Sequence, residues 1–210
     1  MNKILIADEH GIVRLGIKTL ILENLPVSRI DEAGNENETV NLVKSSFYDL
    51  IILDINMPDS DFVKLMHWLS VTTPKTRTLV FSMYPENIYA ERCLQLGAKG
   101  FLHKAASNEE IIYAMKKVLN GKVYINEAFS DILERNNDKD KIRNPFHKLS
   151  SRELEIAALI NKGHSLPEIC NILSIQYSTA NTYKRRIFEK LTVQNALALS
   201  RLMRVFDMEV

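Results

Sequence analysis

Four short apolar runs in the first half of the chain each lead to an acid, a hydroxyl or an amine. Residues 3–7 run into Asp8 and Glu9, and residues 49–53 run into Asp54. Residues 77–81 run into Ser82, and residues 99–102 lead, one residue on, to Lys104. Between them lie amphipathic stretches of helical length. Short runs rich in Ile, Leu and Val that alternate with such stretches read as buried parallel strands in βα units. The fold class this implies is α/β, a doubly wound five-stranded parallel sheet. In these sheets the carboxyl ends of the strands share one edge, and ligands bind there. The five polar residues are therefore expected to converge on one crevice.

Three clustered carboxylates repel one another, so a hard divalent cation with oxygen ligands is the expected resident. Mg²⁺ suits a partial cage, because it keeps waters and takes phosphate oxygens as further ligands. A Lys ammonium and a Ser hydroxyl would hold other phosphoryl oxygens. An Asp can itself be the nucleophile in phosphoryl transfer, and what remains for the protein is positioning and charge neutralisation.

With these residues in place, the first 120 residues resemble the receiver domain of bacterial two-component response regulators. Asp8 and Glu9 match its acid pair, Asp54 its phosphoacceptor, Ser82 its hydroxyl position and Lys104 its lysine. Asn56-Met57-Pro58 matches the segment after the phosphoacceptor, where Asn56 would offer a backbone carbonyl to the metal. Phe101 matches the aromatic switch position. The spacing from Asp54 to Ser82 and Lys104 is that of the NarL/FixJ subfamily. The resemblance implies a flavodoxin-like (CheY-like) receiver, Mg²⁺ as cofactor and a sensor histidine kinase as partner. The chain departs from the pattern at Glu9, where the family carries Asp; at Phe62, where it carries Gly; and at Met83, where it carries something smaller.

Composition fits a two-domain chain. The 210 residues are 46% hydrophobic and 25% charged, ordinary for a globular protein. The net charge of +1 hides an asymmetry: residues 1–120 hold 13 basic and 15 acidic side chains, and residues 146–210 hold 9 and 6. A modestly basic C-terminal part suits nucleic acid. Cys93 and Cys170 form no CxxC and no His/Cys cluster, so they read as reduced core thiols. No signal peptide and no apolar run of about 18 residues is visible. The expected localisation is cytoplasmic, with no membrane partner.

The expected domains are 1–120, a linker at 121–145 and a second domain at 146–210. Helices are expected over 10–24, with Ile12, Leu15, Ile17, Leu20 and Ile21 largely inward, and over 36–45, 61–70 and 86–96, the last ending at Gly97. A fifth starts at Ser107, with Glu110 reaching back to complete a capping box. The segment 134–143 has only Ile142 as an apolar residue, too little to fold alone; a flexible tether is expected, with a helical arm over 128–133 as the alternative.

From Leu149 the pattern is helical throughout. Capping boxes at Ser150/Glu153 and Ser165/Glu168 open two helices, and Ser178 is expected to cap a third that runs to Leu191. A fourth covers 195–206. A short helix, a tight turn and a basic helix form a small all-α helix-turn-helix domain. On the third helix Asn181, Thr182 and Arg185 face away from the Ile187–Leu191 seam, and these residue types read base edges. Lys184, Arg186 and Lys190 suit phosphate contacts. Residues 149–205 resemble the LuxR/GerE-type DNA-binding domain of NarL/FixJ regulators, with Leu149-Ser150-Ser151-Arg152-Glu153 as the opening motif. Residues 181–191, with Asn144-Pro145-Phe146 upstream, look like the GacA/UvrY/LetA branch.

The leading expectation is a DNA-binding response regulator. It takes a phosphoryl group on Asp54 and thereby shifts dimerisation and promoter binding, acting as a homodimer on promoter DNA. The alternative is a phosphorylation-independent DNA-binding regulator whose receiver serves as a dimerisation module. An Asp-dependent phosphatase fits poorly, because such a site wants a second Asp where Asn56 stands. The chain is thus expected not to be an enzyme beyond phosphoryl transfer to its own Asp54.

Overall fold

The computed structural model describes residues 2–58, 60–126, 144–206 and 208. The chain divides into two compact units, residues 1–141 and 142–210.

Among the described residues of the first unit five strands alternate with five helices: β1 (Asn2–Ala7), α1 (Gly11–Asn24), β2 (Val27–Ala33), α2 (Glu36–Ser45), β3 (Leu50–Leu53), α3 (Phe62–Thr72), β4 (Arg77–Ser82), α4 (Glu86–Gln95), β5 (Gly100–His103) and α5 (Asn108–Leu119). The strands form one parallel sheet in the order β2-β1-β3-β4-β5. Ile4, Leu5, Leu50, Ile51, Leu79 and Val80 are fully buried, as expected of central parallel strands covered on both faces. β1 and β3 are central, and a βα order that runs outward on both sides from β1 brings the carboxyl ends of β1, β3, β4 and β5 to one edge.

α1 packs through Ile17 and Ile21, one turn apart and fully in the core. The expectation that Ile12 and Leu15 also point inward is not met: they are 77% and 58% exposed. A helix lying on a sheet buries one stripe, and Ile17 and Ile21 take it. Ile12 and Leu15 instead line an open groove together with Asn108 and Ile111 of α5.

Phe62 is the first residue of α3 and is buried, with Asp61 as N-cap accepting from the Lys64 N–H. A helix start accepts any L-residue, so the Gly usual in related chains is not needed here. Gly97, at φ +99°, ends α4 in the left-handed region, which glycine enters without steric cost.

The receiver core continues past α5. Tyr124 pairs with Gly100 in a parallel bridge; its N–H donates to Lys99 O (2.9 Å), and its carbonyl accepts from the Phe101 N–H (3.4 Å). A Cβ on residue 100 would meet Tyr124 O at 2.9 Å, so glycine permits this approach. The Tyr124 hydroxyl donates to Glu110 Oε1 (2.6 Å), which Asn126 Nδ2 also reaches (3.2 Å). The Ser107 cap is therefore half of the expected box: Ser107 Oγ accepts from the Glu110 N–H (3.3 Å), while the Glu110 carboxylate turns to Tyr124. Asn126 N–H further donates to Glu86 on α4 (3.0 Å). The tether expected over 134–143 and the helical arm over 128–133 lie outside the described residues.

The described residues of the second unit hold a short 3-10 turn (Pro145–Lys148) and four helices: α6 (Ser151–Asn161), α7 (Leu166–Leu173), α8 (Tyr177–Leu191) and α9 (Ala196–Val205). Phe146 is buried against the Phe206 ring. Ile156, Ile169, Ala180, Ile187, Leu191, Leu199 and Leu202 form its core. Both capping boxes are present: Ser150 N–H donates to Glu153 and Ser165 N–H to Glu168, each at 2.7 Å. α8 starts one residue before its expected cap. Gln176 is the N-cap and makes no side-chain capping bond; Ser178 lies in the first turn, where its carbonyl accepts from the Thr182 hydroxyl (2.8 Å).

Candidate functional site

The crevice at the sheet edge is built by extending the strand ladder one residue past each strand. Asp8 N–H donates to Ala33 O (3.1 Å), Asp54 N–H to Ala7 O (2.8 Å) and Lys104 N–H to Ser82 O (2.8 Å). Each functional residue is thus held by its neighbour strand, which fixes where its side chain leaves the backbone. Asp8 is 2% exposed, Asp54 3% and Ser82 1%.

Lys104 bridges the two buried acids. Its Nζ lies 2.6 Å from Asp8 Oδ2 and 2.7 Å from Asp54 Oδ2. The other carboxylate oxygens are held by backbone: Asp8 Oδ1 accepts from the His10 N–H (2.8 Å) and Asp54 Oδ1 from the Asn56 N–H (3.1 Å). Burial keeps the Asp54 carboxyl above its ordinary value; Lys104 pulls it down, and the Asp8 charge pushes it up again. Burial alone would lower Lys104, but the Asp54 and Asp8 carboxylates outweigh it and raise the ammonium above its ordinary value.

Two carboxylates face one ammonium here, so the pocket keeps unbalanced negative charge on oxygen donors. That donor set fits a hard divalent cation. Asp8, His10 and Asp54 bring ligand atoms within 4.8 Å of one another. Glu9 stands to the side of that trio, its Oε1 3.5 Å from Asn56 Nδ2 and 3.8 Å from His10 Nε2. Phe101 is fully buried. Ser82 Oγ accepts from the Tyr84 N–H (3.2 Å) within its own turn. Met83, larger than the family's usual residue there, has its side chain exposed.

Sequence reasoning passed over Arg14. From α1 its guanidinium donates to Asp8 O (2.8 Å) and Glu9 O (3.3 Å), and it pairs with Glu32 on β2 (3.3 Å). The signal available was its place one helical turn after His10. His10 itself lies against Asp8, with Nδ1 3.3 Å from Oδ1.

In the second unit Asn181, Arg185 and Arg186 are exposed on α8, and Thr182 and Lys184 are half-buried. Among the described residues Arg185 makes a long contact to Glu189 (3.9 Å), both ends exposed, and Lys184 lies over the Phe188 ring. Lys190 is differently placed: its Nζ is 2.6 Å from Glu153 Oε2. Glu153 is buried in the capping box, and Lys190 holds its carboxyl below the ordinary value. That leaves Lys190 less free than Arg185 to meet a phosphate.

The sequence matches the response regulator receiver domain over residues 4–116 and the luxR family of bacterial regulatory proteins over residues 147–203. The chain belongs to the NarL/FixJ family of DNA-binding response regulators. It is 27% identical to the response regulator UvrY of Escherichia coli over 96% of this chain and 93% of that one. It is 29% identical to GacA of Pseudomonas aeruginosa over 96% and 95%, and 32% identical to the oxygen regulatory protein NreC of Staphylococcus carnosus over 92% of each. UvrY and GacA are the branch that residues 181–191 pointed to. Among solved structures, an RcsB–DNA complex superimposes with a TM-score of 0.66 at 24% identity, over 97% of this chain and 98% of that one. RcsB of Salmonella enterica bound to a promoter superimposes with a TM-score of 0.68 at 24% identity, over 98% of each. The family controls transcription through DNA and is not a family of enzymes. Among the described residues no helix is long and apolar enough to cross a membrane.

Proposed function

We propose that this chain is a phosphorylation-controlled transcription regulator in the cytoplasm. A sensor histidine kinase supplies the phosphoryl group. An Asp54 oxygen attacks phosphorus, the bond from phosphorus to the kinase imidazole breaks, and that nitrogen leaves with the electron pair. The observation that carries this reading is the Lys104 bridge to both Asp8 and Asp54 at the end of three separate strands. Asp8, Asp54, the Asn56 carbonyl and, after a shift of its side chain, Glu9 would hold Mg²⁺, which neutralises charge on the phosphoryl oxygens when bound. Ser82 leaves Tyr84 for a phosphoryl oxygen, Lys104 follows the new charge, and Phe101 adjusts behind them. That shifts a two-state surface toward dimers.

The output is read by α8. Asn181, Thr182 and Arg185 face the base edges, while Lys184, Arg186 and, at the cost of its bond to Glu153, Lys190 meet phosphates. A homodimer places two such helices on pseudo-palindromic promoter DNA. One observation favours a second reading, in which the receiver is a dimerisation module that needs no phosphoryl group: Glu9 lies outside the trio formed by Asp8, His10 and Asp54.

Intact mass after incubation with acetyl phosphate and Mg²⁺ separates the two. A single phosphoryl adduct is expected on the wild type and none on Asp54→Asn. An unmodified wild type that still dimerises and binds its promoter establishes the second reading.

A further inference from the structure

His103 closes β5 one position before Lys104, and its ring makes two bonds that the strand itself does not require. The Ala105 N–H donates to His103 Nδ1 (3.1 Å), and Nε2 lies 3.0 Å from the Met83 carbonyl oxygen. A backbone N–H can only donate and a carbonyl can only accept. The two partners therefore fix the neutral tautomer in which Nδ1 accepts and Nε2–H donates. The ring ties the turn after β4 to the turn after β5, across the register that pairs Ser82 with His103. Its anchor points are the residue after Ser82 and the residue after Lys104. Within the first of those turns, Ser82 Oγ is engaged by the Tyr84 N–H. Met83 lies between Ser82 and Tyr84, so a bond held at its carbonyl restrains any shift of residues 82–84 that carries the Ser82 hydroxyl toward a phosphoryl oxygen on Asp54.

We propose that His103 is a positioning residue for phosphoryl transfer. It is a latch that holds the turn after β4 with Ser82 facing its own turn, and so restrains acceptance of the phosphoryl group by Asp54. The inference rests on the reading of Asp54 as phosphoacceptor. The bond to Ala105 stays within the turn after β5, where Lys104 is held by its own N–H to Ser82 O, and the bond to Met83 is the restraint. The two can be separated, because Asn Oδ1 stands where Nδ1 does and Gln Nε2 stands where Nε2 does.

The test is the rate of Asp54 phosphorylation by acetyl phosphate on the full chain, read by intact mass. An Asp54 oxygen bonds to phosphorus, the bond from phosphorus to the acetyl oxygen breaks, and acetate leaves with the electron pair. His103→Asn keeps the Ala105 bond and loses Met83, so its rate should rise about two- to tenfold, the range that follows from one lost hydrogen bond. His103→Gln keeps Met83 and should restore the wild-type rate to within about twofold. An Asn variant no faster than wild type, or a Gln variant that moves as far as Asn, overturns the latch. A second readout needs no phosphoryl group: ¹⁵N NMR of the wild-type ring should show the Nε2–H tautomer alone, and a mixture or the Nδ1–H form overturns the proposal. A wild type that takes up no phosphoryl group counts against the phosphoacceptor reading, and the ring spectrum then decides the latch.

Discussion

The crevice and α8 hold similar numbers of charged groups and use them in opposite ways. Asp8, Asp54 and Lys104 are buried and committed to one another at 2.6 and 2.7 Å. Arg185 and Arg186 are exposed, and the ion pair of Arg185 is long. A buried set does its work by fixed geometry and tolerates little loss, since each member compensates the desolvation of another. An exposed set contributes almost nothing to folding and is available to a polyanion, where release of counterions favours binding. Lys190 stands between the two regimes, half-exposed at its own end and tied to a buried Glu153.

The sharpest way to break this contrast is Lys104→Met. It leaves two buried carboxylates facing each other, and the receiver should lose about 3–5 kcal/mol at neutral pH. Trp68, the chain's one tryptophan, lies on α3, so urea unfolding followed by its fluorescence reports on this unit. The pH dependence has a definite sign. The Asp54 carboxyl is already above its ordinary value, and without Lys104 it rises further. Protonation then relieves the repulsion, so the deficit of the variant should shrink as pH falls toward the raised value. A deficit that does not change with pH would mean that Lys104 acts through packing alone.

Arg185→Ala should leave that unfolding curve where it is and weaken binding to the cognate promoter by about 1–3 kcal/mol, the range for loss of one bidentate base contact. Binding to random DNA should fall less, as fluorescence anisotropy at one fixed salt concentration would measure. Equal losses on both sequences would place Arg185 among the phosphate contacts and remove the assignment to base edges.

The smallest effect is expected from Lys190→Ala, about 1 kcal/mol of stability in the second unit after allowance for solvent at the lysine end. Lys190 holds Glu153 below its ordinary value of 4.5. The stability this contributes is present above that value and is lost as pH falls through the lower, folded one. Without Lys190 the folded value rises, so the acid unfolding of α6, followed by its amide NMR signals, should begin at higher pH. An unchanged acid limb would free Lys190 from its structural role and return it wholly to the DNA face.

The parallel sheet and the meeting of Asp8, Asp54 and Lys104 were legible because each rests on a local pattern: an apolar run with its polar terminus. α6 and α7 were legible for the same reason, since a capping box is written in four consecutive residues. What the sequence concealed depends on competition between distant partners. Glu110 has the Ser107 backbone N–H three residues back and a tyrosine fourteen residues on, and the tyrosine takes its carboxylate. Ile12 and Leu15 carry the same hydropathy as Ile17 and Ile21, and only the width of the stripe against the sheet decides which pair is buried. The His103 ring meets the backbone carbonyl of Met83, a contact that no spacing of side chains encodes.

Tyr124 gives the receiver an end that helix prediction alone would misplace. A fragment cut at Gly121 keeps every helix and strand of the α/β alternation, yet it strips the cover from Gly100, a position left without a side chain to make room for that cover. It also leaves the Phe101 N–H and the Glu110 carboxylate without the tyrosine that engages them. The folding unit therefore extends at least to Asn126. The backbone of Phe101, the residue expected to report on Asp54, is thus held in part by a segment beyond α5.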